Sequence, residues 1–167
     1  MNFSSNDSKQ NVFDKVEAEL LQEFAIIKKD DQRPWGGFFV IQNNEAEKFI
    51  ATYFYDLPKD VINLGSLCPK ILIVAPQKKL SWQYHFRRAE IWKLIAGTAA
   101  VSISTTDEEP PHQVLQTNKI IQIQCGERHR LIGLDGWGIV AEIWQHTDPN
   151  NLSNEDDIVR LQDDFGR

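Results

Sequence analysis

Gln83, His85 and Glu90 fall within LSWQYHFRRAEIW, residues 80 to 92. In a strand, positions i and i+2 share a face, so Gln83 and His85 would point the same way. A turn around Arg87 and Arg88 would return the chain with Glu90, Trp92 and Leu94 alternating on one face. An amide oxygen, an imidazole nitrogen and a carboxylate oxygen form a mixed donor set suited to zinc, manganese, iron, cobalt or nickel. A fourth ligand must come from His112, His129 or His146. His129 is the best placed, since CGERHRL sets it after a glycine turn and before an apolar run. His112 in the EEPPHQ loop and His146 at the polar exit of the last strand read as solvated. On the residues alone two readings stand, a metal site or the polar face of a sheet.

The elements that would position these side chains follow from hydrophobic spacing. Phe13, Val16, Leu20, Phe24 and Ile27 recur at intervals of three and four, which predicts an amphipathic helix over Val12 to Ile27. Such a stripe would pack on the outside of the domain or against a second subunit. KKDDQRPWGG, broken by Pro34, Gly36 and Gly37, reads as a connector. Short segments rich in valine, isoleucine and aromatics follow: GFFVIQ, KFIATYF, KILIVA, AEIWKLI, AAVSIS, KIIQIQ and GWGIVAEIW. The turn formers between them predict an antiparallel sandwich or barrel. The tail from Asp148 ends in NEDDIVRLQDDFGR, whose acidic run suits either the start of a short helix or a solvated loop.

Composition narrows the partners. A chain of 167 residues with five tryptophans is sized for one domain with a substantial core. Its net charge of -6 argues against nucleic acid or an anionic membrane as partner, and much of the excess lies in the tail after Thr147. The first ten residues lack the basic flank and apolar run of a secretory signal, so a cytoplasmic location is expected. Cys68 and Cys125 stand alone and read as reduced thiols. No glycine-rich phosphate loop sits between a strand and a helix, which weighs against a nucleotide-binding α/β enzyme.

Longer spacings carry a resemblance. His85, Glu90 and Gly97 resemble the first cupin motif, with Gln83 where many cupins have a histidine, and Gly126 with His129 resemble the second. RPWGG, KILIVAPQKKLSWQYHFRRAEIWKLIAGTA, GERHRL and EDDIVRLQDDFGR, in that order, are similar to the cupin domain of type II phosphomannose isomerases, often fused to mannose-1-phosphate guanylyltransferase. The resemblance implies an all-β double-stranded β-helix over residues 33 to 167, preceded by the N-terminal tail and helix of residues 1 to 32. It implies metal ligands Gln83, His85, Glu90 and His129, with zinc first among the divalent ions. It marks Arg88 as catalytic and Lys70, Arg160 and Arg167 as substrate-binding, consistent with the fit of guanidinium to phosphate. Arg33, Trp35 and Glu127 are weaker candidates.

The sequence departs from the family pattern at Phe86, Arg87, Ile91, Gln77, Gln124, Gly133 and Trp144. These changes spare the ligand set and alter the expected pocket lining. The resemblance therefore implies an aldose–ketose isomerase acting on a sugar phosphate such as mannose 6-phosphate. A metal-binding cupin that holds a sugar phosphate or other small anion without turnover is the alternative, and an iron-dependent oxygenase a third. A homodimer is expected, built through sheet edges or the helical stripe.

Overall fold

The computed structural model describes residues 3–58 and 67–166. Its elements are α1 (Lys9–Leu20), β1 (Ile26–Asp30), β2 (Gly36–Ile41), α2 (Ala46–Tyr53), β3 (Leu67–Val74), β4 (Trp82–Tyr84), β5 (Arg88–Ser104), β6 (Gln113–Val114), β7 (Ile120–Ile123), β8 (Arg128–His146) and β9 (Val159–Gln162). Every strand pairing is antiparallel, and β8 lies at the centre, bonded to β3, β4 and β5. The expected all-β cupin barrel with an N-terminal helix is the fold observed.

Both sides of the central strands are buried, which explains why KILIVA and GIVAEIW read as nearly continuous apolar runs. Leu72 and Val74 of β3, Trp92 and Leu94 of β5 and Val140 of β8 fill the barrel together with Trp35 and Phe38. Ile71 and Ile73, Ile91, and Ile139, Ala141 and Ile143 point outward into a second cluster, covered by α1 and α2. Strand alternation sorts the side chains between the two layers.

Several elements differ from the sequence-based expectation, each for a physical reason. The helix ends at Leu20 rather than Ile27, because Ile26 begins an edge strand paired with β2. KKDD thus belongs partly to β1 and not to a connector. The helical stripe is interior: Val12, Phe13, Val16 and Leu20 are buried against Phe39 and the outer sheet face. Of the two expected placements the structure has the first, packing on the outside of the sheet, so the stripe is not left exposed to meet a second subunit. KFIATYF is helical, since Ala46, Phe49, Ile50 and Tyr53 also fit a spacing of three and four, and Phe49 packs edge-on against Phe24 and Tyr53.

AEIWKLI and AAVSIS are one strand, β5, interrupted by a bulge rather than a turn. Gly97 makes the bulge with φ 72°, and a Cβ there would sit 1.8 Å from the Trp137 carbonyl oxygen. Gln77, which replaces a family turn glycine, occupies the same left-handed region at φ 57°. Among the described residues the acidic tail forms no helix. It runs through turns into β9, which pairs with β4 and sets Arg160 opposite Gln83.

Candidate metal centre

Three strands deliver the predicted ligands to one point. β4 carries Gln83 and leads directly to His85, β5 supplies Glu90, and β8 opens with His129. The register sets Gln83 directly opposite His129. His85 Nε2 lies 3.3 Å from Glu90 Oε1, and His129 Nε2 lies 3.3 Å from Glu90 Oε2. The ligand atoms of His85, Glu90 and His129 all fall within 4.8 Å of one another, and all three residues are buried.

These residues fit a metal ion. Glu90 Oε2 and His129 Nε2 are buried and have no hydrogen-bond partner among the described residues. Such orphaned polar atoms are costly unless something else satisfies them, and a cation between carboxylate and imidazole does so. Both rings are turned to suit. His85 Nδ1 pairs with the Asp157 carbonyl oxygen at 2.6 Å, and His129 Nδ1 with the Glu127 carbonyl oxygen at 2.9 Å. Each carbonyl fixes the proton on Nδ1 and leaves Nε2 as the ligand atom. Gln83 completes the set, with its amide nitrogen 3.5 Å from His85 Nε2 and its oxygen accepting from Ser81 Oγ at 2.5 Å. A half-turn of the amide exchanges the two and presents the oxygen.

Arg88 is buried beside the ligands. Its Nε donates to Glu90 Oε1 at 2.7 Å, its Nη2 approaches His85 Nε2 at 3.1 Å, and its Nη1 reaches Ser153 Oγ at 2.8 Å and the Asn154 and Asp157 carbonyls. Burial opposes charge on Glu90, but the His129 and His85 imidazoles and the Arg88 guanidinium outweigh it and hold the carboxyl well below its ordinary range. Burial drives His85 down to about 4, so its neutral, ligating form persists well below neutrality.

Gln83 and Glu90 of this set open onto a cavity of about 320 Å³, with Arg88 beside them in its wall. Of the predicted substrate-side residues, Lys70, Arg160 and Arg33 line it, as does Trp35. Lys70 is buried, 2.6 Å from Glu155 and with its ammonium 3.3 Å from the Trp144 ring centroid. Arg33 pairs with Asp30 at 2.8 Å. Arg167 lies outside the described residues. The Glu127 carboxylate accepts the Gln124 N–H within its own turn and does not line the cavity.

Most family departures prove remote from the cavity. Phe86 is 63% exposed, Arg87 donates to Asn151 and Asn154 in the tail, and Ile91 belongs to the outer core. Trp144 alone of the departures is in the lining, stacked over Arg88 at 3.6 Å as well as Lys70. The altered lining expected from sequence thus reduces to one indole.

Two residues missed from sequence stand out. Asp157 accepts the Phe86 and Arg87 N–H groups, each at 3.0 Å, and the Ser153 hydroxyl at 2.6 Å, tying the tail to the ligand loop. Glu142 is buried in the cavity wall, with Oε1 accepting from Trp92 Nε1 at 3.0 Å. Burial, reinforced by the charge of Glu90, raises its carboxyl to about 8. A lone glutamate at an inward position of the apolar strand GIVAEIW was the signal available for it.

A nitrogen–oxygen ligand cluster inside a double-stranded β-helix, opening on a cation-lined cavity, defines a cupin with a candidate metal centre. Residues 59–163 match the family model described as "Mannose-6-phosphate isomerase C-terminal", and the chain belongs to that family. Mannose-1-phosphate guanylyltransferase of Escherichia coli K12 is 34% identical over 95% of this chain, and that of Salmonella montevideo 27% over 95%. The chain spans 27% of the length of these two curated relatives. Among solved structures, the capsular polysaccharide assembling protein CapF of Staphylococcus aureus superposes with a TM-score of 0.54 at 14% identity, over 83% of this chain and 34% of CapF. Hazelnut vicilin gives 0.51 at 16% identity, over 77% and 33%. These likenesses show the fold. No helix among the described residues is long and apolar enough to cross a membrane.

Proposed function

We propose that the chain is a metal-dependent isomerase that interconverts an aldose phosphate, such as mannose 6-phosphate, with the corresponding ketose phosphate. The observation that carries this reading is the buried His85–Glu90–His129 cluster, with its orphaned carboxylate and imidazole atoms, at the wall of a cavity lined by Lys70, Arg88 and Arg160. Family membership supports it. Gln83, His85, Glu90 and His129 would hold the ion, zinc first by the mixed nitrogen and oxygen donors. A bound divalent metal supplies Lewis-acid stabilisation of negative charge on the sugar oxygens.

The protein residues divide the remaining work. Nε and Nη1 of Arg88 are held by Glu90 and Ser153, while Nη2 faces His85 Nε2 and would be released once that atom ligates an ion, so Arg88 holds Glu90 ionised and sets a fixed positive charge beside the cavity. Lys70 and Arg160 attract the phosphate, and Lys70 exchanges Glu155 for it. The indoles of Trp35, Trp92 and Trp144 exclude water and offer flat faces to the sugar ring.

The test is a panel of hexose phosphates and their unphosphorylated sugars offered to protein reconstituted with each candidate metal. Turnover confined to phosphates supports the reading, and no turnover with any metal refutes it. A second reading, ligand binding without turnover, draws on Trp144, whose indole covers both Lys70 and Arg88. Calorimetric binding of a sugar phosphate alongside that absence of turnover would favour it.

A further inference from the structure

Aldose–ketose isomerisation needs a group that takes a proton from one carbon and returns it to the next, and neither the ligands nor the predicted arginines can serve. Three carboxylates are buried among the described residues: Glu90, Glu142 and Asp157. Glu90 belongs to the metal cluster and is paired with Arg88. Asp157 is bound to two backbone N–H groups and a hydroxyl, with Arg87 at 3.8 Å. Neither is free to exchange a proton with a ligand.

Glu142 differs from both. No cation lies within 4.0 Å of its carboxylate among the described residues, and the hydrogen bond to its Oε1 comes from the neutral indole N–H of Trp92. Its position on β8 puts it opposite Trp92 on β5 and Lys70 on β3. It therefore lines the cavity between the metal-side wall, with Glu90 and Gln83, and the Lys70 side that would receive a phosphate. Burying a carboxylate without a charged partner is costly, and the fold gains no ion pair from this one.

We infer that Glu142 is the proton-transferring catalytic residue of this cavity, acting between C1 and C2 of the sugar. The inference rests on the isomerase reading above. As a carboxylate, Glu142 removes the proton from C2 of the open-chain aldose. The C2–H electron pair forms the C1=C2 double bond, and the carbonyl pair moves to O1, giving an enediolate. The C2 hydroxyl proton passes to O1, the C2 carbonyl forms, and the double-bond pair at C1 recovers the proton from Glu142. C1 is reduced and C2 oxidised within one molecule, so no external oxidant or reductant enters. Trp92 orients the carboxyl through its hydrogen bond and touches no reacting atom in this scheme.

The test uses the full metal-loaded chain with mannose 6-phosphate in deuterium oxide, following by proton NMR both interconversion and deuterium entry at C2 of the aldose and C1 of the ketose. Wild type is expected to interconvert the sugars. Glu142→Gln is expected to lose at least about 100-fold in kcat and in deuterium entry, with KM within about threefold and metal content unchanged. Glu142→Asp is expected to retain part of the rate with a shifted pH profile. If Glu142→Gln keeps kcat within threefold of wild type, or loses metal in proportion to rate, the inference is overturned while the isomerase reading stands. If Glu142→Gln does not fold, Glu142→Asp decides: a wild-type rate and pH profile overturns the inference. A metal-loaded wild type that neither interconverts nor exchanges removes both.

Discussion

Replacing Asp157 by alanine removes three hydrogen bonds at once, those its carboxylate accepts from the backbone N–H groups of Phe86 and Arg87 and from the Ser153 hydroxyl. Hydrogen bonds to a charged group contribute about 1.5–3 kcal/mol each when buried, and water entering at this rim recovers part of that, so the metal-free protein should lose ~3 kcal/mol. The loss reaches the metal site because those side-chain bonds hold in place the main-chain carbonyl of Asp157, which survives the substitution and orients His85. Outer-sphere changes of this kind lower metal affinity about 10–100-fold. Burial alone would raise the Asp157 carboxyl, but the Ser153 hydroxyl and then the two N–H groups hold it below its ordinary value of 3.8. Its stabilisation is therefore present above that value and is lost as pH falls through the lower folded value. Asp157→Ala should remove this acid dependence as well. Urea unfolding of the metal-free protein and competition against a chromogenic chelator measure the two effects. An Asp157→Ala protein that binds metal within threefold of wild type would refute the reasoning that the tail positions the ligand.

Three further outcomes are expected. Phe13→Ala should cost about 3–5 kcal/mol by denaturant unfolding, since the ring is fully buried against Phe39 and not on a subunit surface. Glu142→Gln should stabilise the metal-free protein above about pH 5, with a gain that grows towards pH 8. The folded carboxyl titrates near 8 against 4.5 unfolded, so the folded state holds the extra proton and wild type loses stability as pH rises through that window; melting curves at pH 5 and pH 8 with equal gains would contradict this. Trp144→Gln removes an indole stacked on two buried cations and should lower stability by about 2–4 kcal/mol, while raising affinity for inorganic phosphate, measured by calorimetry, as Lys70 and Arg88 are uncovered.

The candidate ligand cluster was legible because Gln83 and His85 share a strand face and the His85–Glu90–Gly97 spacing resembles a cupin motif, and the register brings Gln83 to His129. The barrel was legible from its alternating and continuous apolar runs. Element identity failed where one stretch satisfies two periods. KFIATYF suits a strand by composition and a helix by spacing, and contact with Phe24 decides for the helix. Ile26 and Ile27 extend the helical stripe in sequence but are drawn into the edge of the sheet by pairing with β2. Asp157 was illegible because its partners lie 70 residues or more away for Phe86 and Arg87, in a loop that local chemistry does not connect with it. The substitutions at Phe86 and Ile91 seemed to bear on the cavity only because sequence proximity to His85 and Glu90 does not say which way a side chain points.

Metal-dependent turnover of a sugar phosphate is tested directly by proton NMR of mannose 6-phosphate with the purified chain. Conversion to the ketose phosphate is expected to stop on chelation, to resume on adding back a divalent ion, and to be absent from Glu90→Gln. A protein with one metal ion bound per chain that leaves mannose 6-phosphate unchanged would contradict it.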